Sequence, residues 1–167
     1  MKIVVISDTH MPKKAKQLPP IVLEYLKNSD YIFHLGDWQT LDLYNELKNF
    51  APIIGVAGNV DQAELVDFLG YEKIITLNGF QFGLVHGHQG KGRTTEERAI
   101  NTFTGQNVDA ILFGHSHIPL LKEYEEKILF NPGSATDKRR QSHYSFGLID
   151  LNERLEFQHI FFDSIRM

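Results

Sequence analysis

Five short segments carry side chains of the kinds that ligate divalent cations: Asp8-Thr9-His10, Gly36-Asp37, Gly58-Asn59, His86-Gly87-His88 and Gly114-His115-Ser116-His117. Carboxylate, amide and imidazole donors suit Mn²⁺, Fe²⁺, Co²⁺, Ni²⁺ or Zn²⁺, and none of these residue types singles out one ion. The chain has no cysteine, which excludes a disulfide framework, a zinc finger, an iron–sulfur site and a thiol nucleophile. In extended backbone, residues i and i+2 face the same way, so Asp8 with His10, and His115 with His117, can each present two donors to one point. A random ordering of this composition yields about half of one D-x-H and roughly 0.4 H-x-H. The D-x-H alone therefore decides nothing, whereas two H-x-H pairs, at 86/88 and 115/117, exceed chance.

Each segment follows an apolar run that reads as a strand. Lys2 to Ser7, Asp30 to Leu35, Ile53 to Ala57 and Asp109 to Phe113 are continuous, β-branched and apolar, the pattern of parallel strands buried on both faces. Between them the spacing predicts helices over Ile21 to Lys27, opened by Pro19-Pro20, over Leu41 to Phe50 and over Thr94 to Phe103. Asn78-Gly79 is a two-residue turn signal joining Lys73 to Leu77 with Phe80 to His86. Two further hairpins are expected from Leu120 to Tyr124 with Lys127 to Phe130, and from Tyr144 to Leu151 with Arg154 to Phe162. The expected fold class is α/β: two mixed β-sheets packed as a sandwich, flanked by α-helices, in a single domain over residues 1–167. In such sheets ligands bind beyond the carboxyl ends of strands, so donors far apart in sequence converge there. Glycines 36, 58, 87 and 114 are expected to make the tight turns that aim them.

The chain has 167 residues, 42% of them hydrophobic and 23% charged, with a formal net charge of −4. That balance excludes a disordered chain and a general electrostatic footprint for nucleic acid or an anionic membrane. A cytoplasmic location is expected, because the apolar run Ile3 to Ile6 is followed at once by Ser7, Asp8 and His10 and no stretch approaches the roughly 18 to 20 apolar residues of a membrane helix. A homo-oligomer is compatible with apolar positions in the last hairpin, and no partner protein is indicated.

The order D-x-H, G-D, G-N-x-D, H-G-H, G-H-x-H and N-P-G-S, running from Asp8 to Ser134, resembles the calcineurin-like metallophosphoesterases, and within them the short prokaryotic phosphodiesterases. That resemblance implies a four-layer metallophosphoesterase fold and a binuclear centre of two divalent ions, with Mn²⁺ the working choice. Asp8, His10, Asp37 and His117 would hold one ion; Asp37, Asn59, His86 and His115 the other, with Asp37 bridging. Two such ions against the charges of Asp8, Asp37 and one bridging hydroxide leave about +1, which draws an anionic phosphate ester. The implied reaction is hydrolysis of a small phosphate ester by metal-activated water, with Asp37, Asn59 and His86 as catalytic ligands. A phosphodiester is the implied substrate, a phosphomonoester or nucleotide the enzymatic alternative, and a protein-binding scaffold like the retromer subunit of this fold the non-enzymatic one.

Departures from that pattern define further expectations. Where many relatives follow the ligand asparagine with a histidine that contacts phosphate, this chain has Val60. The leaving-group acid is therefore open, with His88 and His143 as candidates, and a missing acid costs about 10²- to 10⁴-fold. Met11 stands where glycine is frequent. Asp61 is expected to orient a histidine. His34 and His159 read as structural. Trp38 offers a ring on which substrate could stack, although packing is the more usual role. The basic runs Lys13-Lys14-Ala15-Lys16 and Lys138-Arg139-Arg140 flank the ligand motifs, and Arg139 and Arg140 are candidate phosphate contacts. The Asn131 to Ser134 turn either redirects the chain or offers backbone amides to substrate.

Overall fold

The computed structural model describes residues 1–165. In chain order its elements are β1 (Lys2–Ile6), α1 (Pro20–Leu26), β2 (Tyr31–Leu35), α2 (Leu41–Leu47), β3 (Ile53–Val56), α3 (Ala63–Leu69), β4 (Glu72–Leu77), β5 (Phe80–Val85), α4 (Thr95–Thr102), β6 (Ala110–Phe113), β7 (Leu120–Tyr124), β8 (Lys127–Asn131), β9 (Tyr144–Leu151) and β10 (Leu155–Phe162). They form two five-stranded mixed sheets, ordered β10-β9-β1-β2-β3 and β4-β5-β6-β8-β7. Strands β1, β2 and β3 run parallel in the first sheet, and β5, β6 and β8 in the second. The four runs that read as parallel strands are thus divided between the sheets, because β6 pairs with β5 and β8.

Alternation along β1 shows why the sheets stack. Ile3 and Val5 meet Phe33, Phe82, Leu84 and Leu112 in an apolar layer between the sheets, while Val4 and Ile6 point outward to Val22, Leu26, Leu43 and Leu65. A strand buried on both faces is apolar along its length, as β1 is from Ile3 to Ile6 once past the exposed Lys2. On the outer side of the second sheet, Ile111, Phe113 and Leu129 are covered by Ala99 of α4 and by Phe103. The layers are therefore helices α1 to α3, sheet, sheet, and helix α4. Thr94 caps α4 by accepting from the Glu97 amide while the Glu97 carboxylate reaches back to the Thr94 amide, a reciprocal pairing that fixes where the helix begins.

Helix boundaries differ from the sequence expectation in particular ways. The Leu41 helix stops at Leu47, and the Phe50 amide bonds to the Leu47 carbonyl in a turn beyond it. Helix α3 is absent from the sequence expectation, since seven residues with only Leu65 and Leu69 fully buried give too short an apolar stripe to detect. No helix among the described residues is long and apolar enough to cross a membrane.

Candidate metal centre

The donor residues follow the carboxyl ends of five strands: Asp8 after β1, Asp37 after β2, Asn59 after β3, His86 after β5 and His115 after β6. The structure gathers them into two groups, Asp8 with His10 and His117, and Asp37 with His86 and His115. Asn59 joins the second group through its Oδ1, 3.1 Å from His115 Nδ1. The groups are contiguous. Asp37 Oδ2 lies 3.5 Å from His10 Nε2, Asp37 Oδ1 lies 3.3 Å from His86 Nε2, and His86 Nε2 is 3.9 Å from Asp8 Oδ1.

Backbone carbonyls fix the imidazoles from behind. His86 Nδ1 donates to the Leu35 carbonyl at 2.7 Å and His117 Nδ1 to the Asp137 carbonyl at 2.5 Å. Each ring therefore turns a bare Nε2 lone pair inward, the tautomer a metal requires. His10 Nε2 and His117 Nε2 approach to 3.2 Å with their rings stacked. Asp8 Oδ1 and His86 Nε2 are buried without a hydrogen-bond partner. Buried polar atoms are rarely orphaned, and converging lone pairs with two carboxylates match the donor chemistry of a first-row divalent cation.

Burial lowers the pKa of His10, His115 and His34, the last well below its ordinary value. At His86 burial is outweighed by Asp37 and Asp8, which raise it. At Asp37 burial opposes ionisation, but the nearby imidazole of His86, the Val60 amide and His10 hold the carboxyl below the usual carboxylate range.

Five of the candidate ligands are non-glycine residues in the left-handed region: Asp8 (φ 54°), His10 (47°), Asp37 (59°), His115 (65°) and His117 (59°). Such conformations cost on the order of 1 kcal/mol each and cluster at functional sites. The glycines divide into two kinds. Gly36 and Gly87 both have φ 94° and make the expected turns. Gly58 and Gly114 are not left-handed. A Cβ on Gly58 would overlap the Asp37 carboxylate, and one on Gly114 would overlap the Ser7 hydroxyl that donates to Asp8 Oδ2 and stand 2.7 Å from that oxygen. These two are glycine so that a carboxylate from another loop can approach the backbone.

Asp61 orients no histidine; it clamps two ligand loops. Its Oδ2 accepts from the Asp37 and Gly58 amides at 3.1 and 2.6 Å and its Oδ1 from Gln39 at 2.7 Å. Burial nonetheless raises its pKa. Asn131 and Ser134 brace the other side. The Asn131 amide donates to the Gly114 carbonyl, while Ser134 Oγ donates to the Asp8 carbonyl and accepts from the Asp137 amide. The polar side chains of the N-P-G-S turn are thus committed inward.

Other expectations resolve individually. Trp38 is fully buried, stacked on His34 at 3.6 Å, with Nε1 donating to the Val56 carbonyl; it offers no face to substrate. His34 Nδ1 accepts from the Gly36 amide and Nε2 donates to Thr9, a structural role. His159 donates to the Asn131 carbonyl and stacks on Phe130. Met11 is buried and its amide bonds to the Trp38 carbonyl. Lys138 serves its own turn through the Gln141 and Ser142 carbonyls, and Lys14 pairs with Asp137. Arg139 and Arg140 are exposed, and no hydrogen bond or ion pair ties them to the donor groups. His143 engages Ser142, Asp163 and the Phe161 ring, none of them a donor residue. His88 does border the cluster, 5.3 Å from His86 and 6.2 Å from His115 between ring centroids. Burial, with His86 and His115, lowers its pKa to about 4. Arg98 was not anticipated. Its Nε donates to the Gly87 carbonyl, buttressing the H-G-H turn from one turn inside α4, and no sequence motif marks it.

The calcineurin-like phosphoesterase superfamily domain matches residues 1–154. The chain belongs to that superfamily. The chain is 34% identical over 140 residues to a probable metallophosphoesterase of Methanothermobacter thermautotrophicus, covering 83% of this chain and 80% of the relative. Among solved structures it superposes with TM-score 0.78 on wild-type Vps29 of Entamoeba histolytica in complex with Zn²⁺, at 24% identity over 96% of this chain and 99% of that one. It superposes with TM-score 0.76 on a novel archaeal phosphodiesterase, at 24% identity over 97% and 100% of the two chains. These two likenesses establish the shared fold of two mixed sheets with flanking helices.

Proposed function

We propose that the protein is a metal-dependent phosphoesterase that hydrolyses phosphodiesters in preference to monoesters. The observation that carries this reading is the meeting of two donor groups at buried, unpartnered atoms, Asp8 Oδ1 and His86 Nε2. Asp8, His10 and His117 would hold one divalent ion and His86, His115 and Asn59 a second, with Asp37 between them. When bound, such ions supply Lewis acidity toward phosphate oxygens and bring the pKa of water toward neutrality. Among these ligands only Asp8 and Asp37 are anionic, so a loaded site keeps a positive balance and selects an anionic ester.

Water adds across one P–O ester bond, and the departing oxygen takes a proton. Val60 has no proton to give, and His143 is engaged with Asp163. His88, the candidate that borders the cluster, has its pKa lowered to about 4 by burial, His86 and His115 and carries little proton near neutral pH, so esters of acidic alcohols or phenols, whose oxygen departs with little assistance, are favoured. The Zn²⁺-bound Vps29 and the archaeal phosphodiesterase of this fold support the reading as analogies. Manganese is the first ion to test.

The experiment compares bis(p-nitrophenyl) phosphate with p-nitrophenyl phosphate, using metal-stripped protein before and after addition of Mn²⁺, with Asn59→Ala alongside. Metal-dependent diester turnover that falls in the variant is expected. Absence of turnover of either ester with Mn²⁺, Zn²⁺, Fe²⁺, Ni²⁺ or Co²⁺ overturns the proposal in favour of a binding scaffold, and faster turnover of the monoester overturns the diester preference.

A further inference from the structure

Two of the large apolar residues left exposed stand at the Asn59–His115 side of the cluster. Val60, immediately after Asn59, is 40% exposed, and Tyr71, immediately before β4, is 37% exposed. The Tyr71 ring meets His88 edge to face at 5.3 Å, and His88 in turn lies against His86 and His115. A continuous series of rings thus runs from the donor group to solvent. We propose that Tyr71, His88 and Val60 form a subsite for an aromatic ester group of the substrate, so that aryl or similarly flat phosphodiesters are the preferred class; this rests on the phosphoesterase reading above.

Three features make this wall suited to an uncharged flat group. Its side chains come from three separate connections, after β3, before β4 and after β5, so the wall is built by the fold and not by one loop. Asp61, the carboxylate nearest in sequence to Val60, turns both oxygens toward backbone amides and offers no anion to substrate. Arg98 holds the Gly87 carbonyl and thereby the turn that carries His88. Trp38, which follows the donor Asp37, is sealed in the core, whereas Tyr71 is an exposed ring beside His88 that a flat group can stack against.

Phenylphosphonate and methylphosphonate present the same anionic head to the metal centre and differ only in the group beyond it. Titrating each into zinc-loaded protein by calorimetry, we expect phenylphosphonate to bind about 3- to 10-fold tighter, the range of a single aromatic contact. Tyr71→Ala and Val60→Ser should each bring that ratio toward one, and Leu121→Ala, an exposed apolar residue on β7, should leave it intact. Equal binding of the two phosphonates by the wild type, or an undiminished ratio in both subsite variants, overturns the subsite while leaving the phosphoesterase reading standing. If zinc-loaded protein binds neither phosphonate, both fall together.

Discussion

Replacing Asp61 tests whether the candidate centre is assembled by its ligands or by the backbone beneath them. One carboxylate receives three amide protons from two loops: Asp37 and Gln39 after β2, and Gly58 after β3. A hydrogen bond to a charged group contributes roughly 1.5 to 3 kcal/mol. Because the site is partly open, water replaces some of what is lost, and Asp61→Ala should destabilise the metal-free protein by about 3 to 5 kcal/mol. Asp61→Asn keeps one oxygen, which can serve the Asp37 and Gly58 amides, but sets an amide NH₂ against the Gln39 N–H; its cost should be about 1 to 2 kcal/mol. Urea unfolding of chelator-treated protein measures both. Where a domain has only about 5 to 15 kcal/mol of stability, the alanine variant risks not folding, and the asparagine variant then carries the test. Metal affinity adds a second readout: Asp61 contacts no donor atom, yet its loss separates Asp37 from Asn59, so competition titration should show affinity falling by roughly 10- to 100-fold. An asparagine variant with wild-type unfolding midpoint and metal affinity would refute the clamp.

Three other outcomes follow from the same structure. Ser134→Ala removes the donor to the Asp8 carbonyl and the acceptor for the Asp137 amide; unfolding should show a loss of about 1 to 3 kcal/mol, and an unchanged midpoint would contradict the bracing role. Trp38→Phe loses the bond to the Val56 carbonyl and part of the stack on His34, so stability should fall by about 1 to 3 kcal/mol while KM for an aryl diester is unchanged; a raised KM would place the indole in the substrate path. Burial lowers the pKa of His10, His34, His88, His115 and His159, so below pH 6.5 the unfolded chain takes up protons that the fold resists, and stability declines toward pH 4, where His88 titrates. His86, raised by its carboxylates, contributes in the opposite sense, fully below 6.5 and less as pH rises through its folded value. Five lowered histidines against His86 and Asp61, whose raised carboxyl also favours the fold at low pH, should make the metal-free protein less stable at pH 5 than at pH 7.5 in urea, and the reverse order would show that His86 and Asp61 dominate.

The donor residues were legible in the sequence because each is a polar break directly after an apolar strand, and parallel strands carry their ends to one place. Their supports were not. Asp61 looked like a partner for a histidine since spacing cannot tell which amides will converge on a carboxylate. Gly58 and Gly114 looked like turn formers, whereas their lack of a side chain matters through the carboxylates of loops distant in sequence. The role of Trp38 turned on whether His34 and Tyr44 would pack against it, a property of the packed core. Arg98 depends on where α4 begins, and so on the Thr94–Glu97 pairing more than on any motif at Arg98 itself. Arg139 and Arg140, close in sequence to the N-P-G-S turn, are exposed and bonded to none of the donors; a contact with phosphate is a property of the complex with substrate, which the chain alone does not display.

The left-handed backbone at Asp8, His10, Asp37, His115 and His117 sets durability against chemistry residue by residue. At each of these positions glycine would relax the chain, most cleanly at His115, whose side chain is the least enclosed of the five. Selection for heat tolerance alone should therefore erode His115 first, since the other four side chains are buried and three of them hold backbone partners, and selection for turnover should hold it in place against that pull. A laboratory evolution experiment scored only on folding would reveal the site by what it discards.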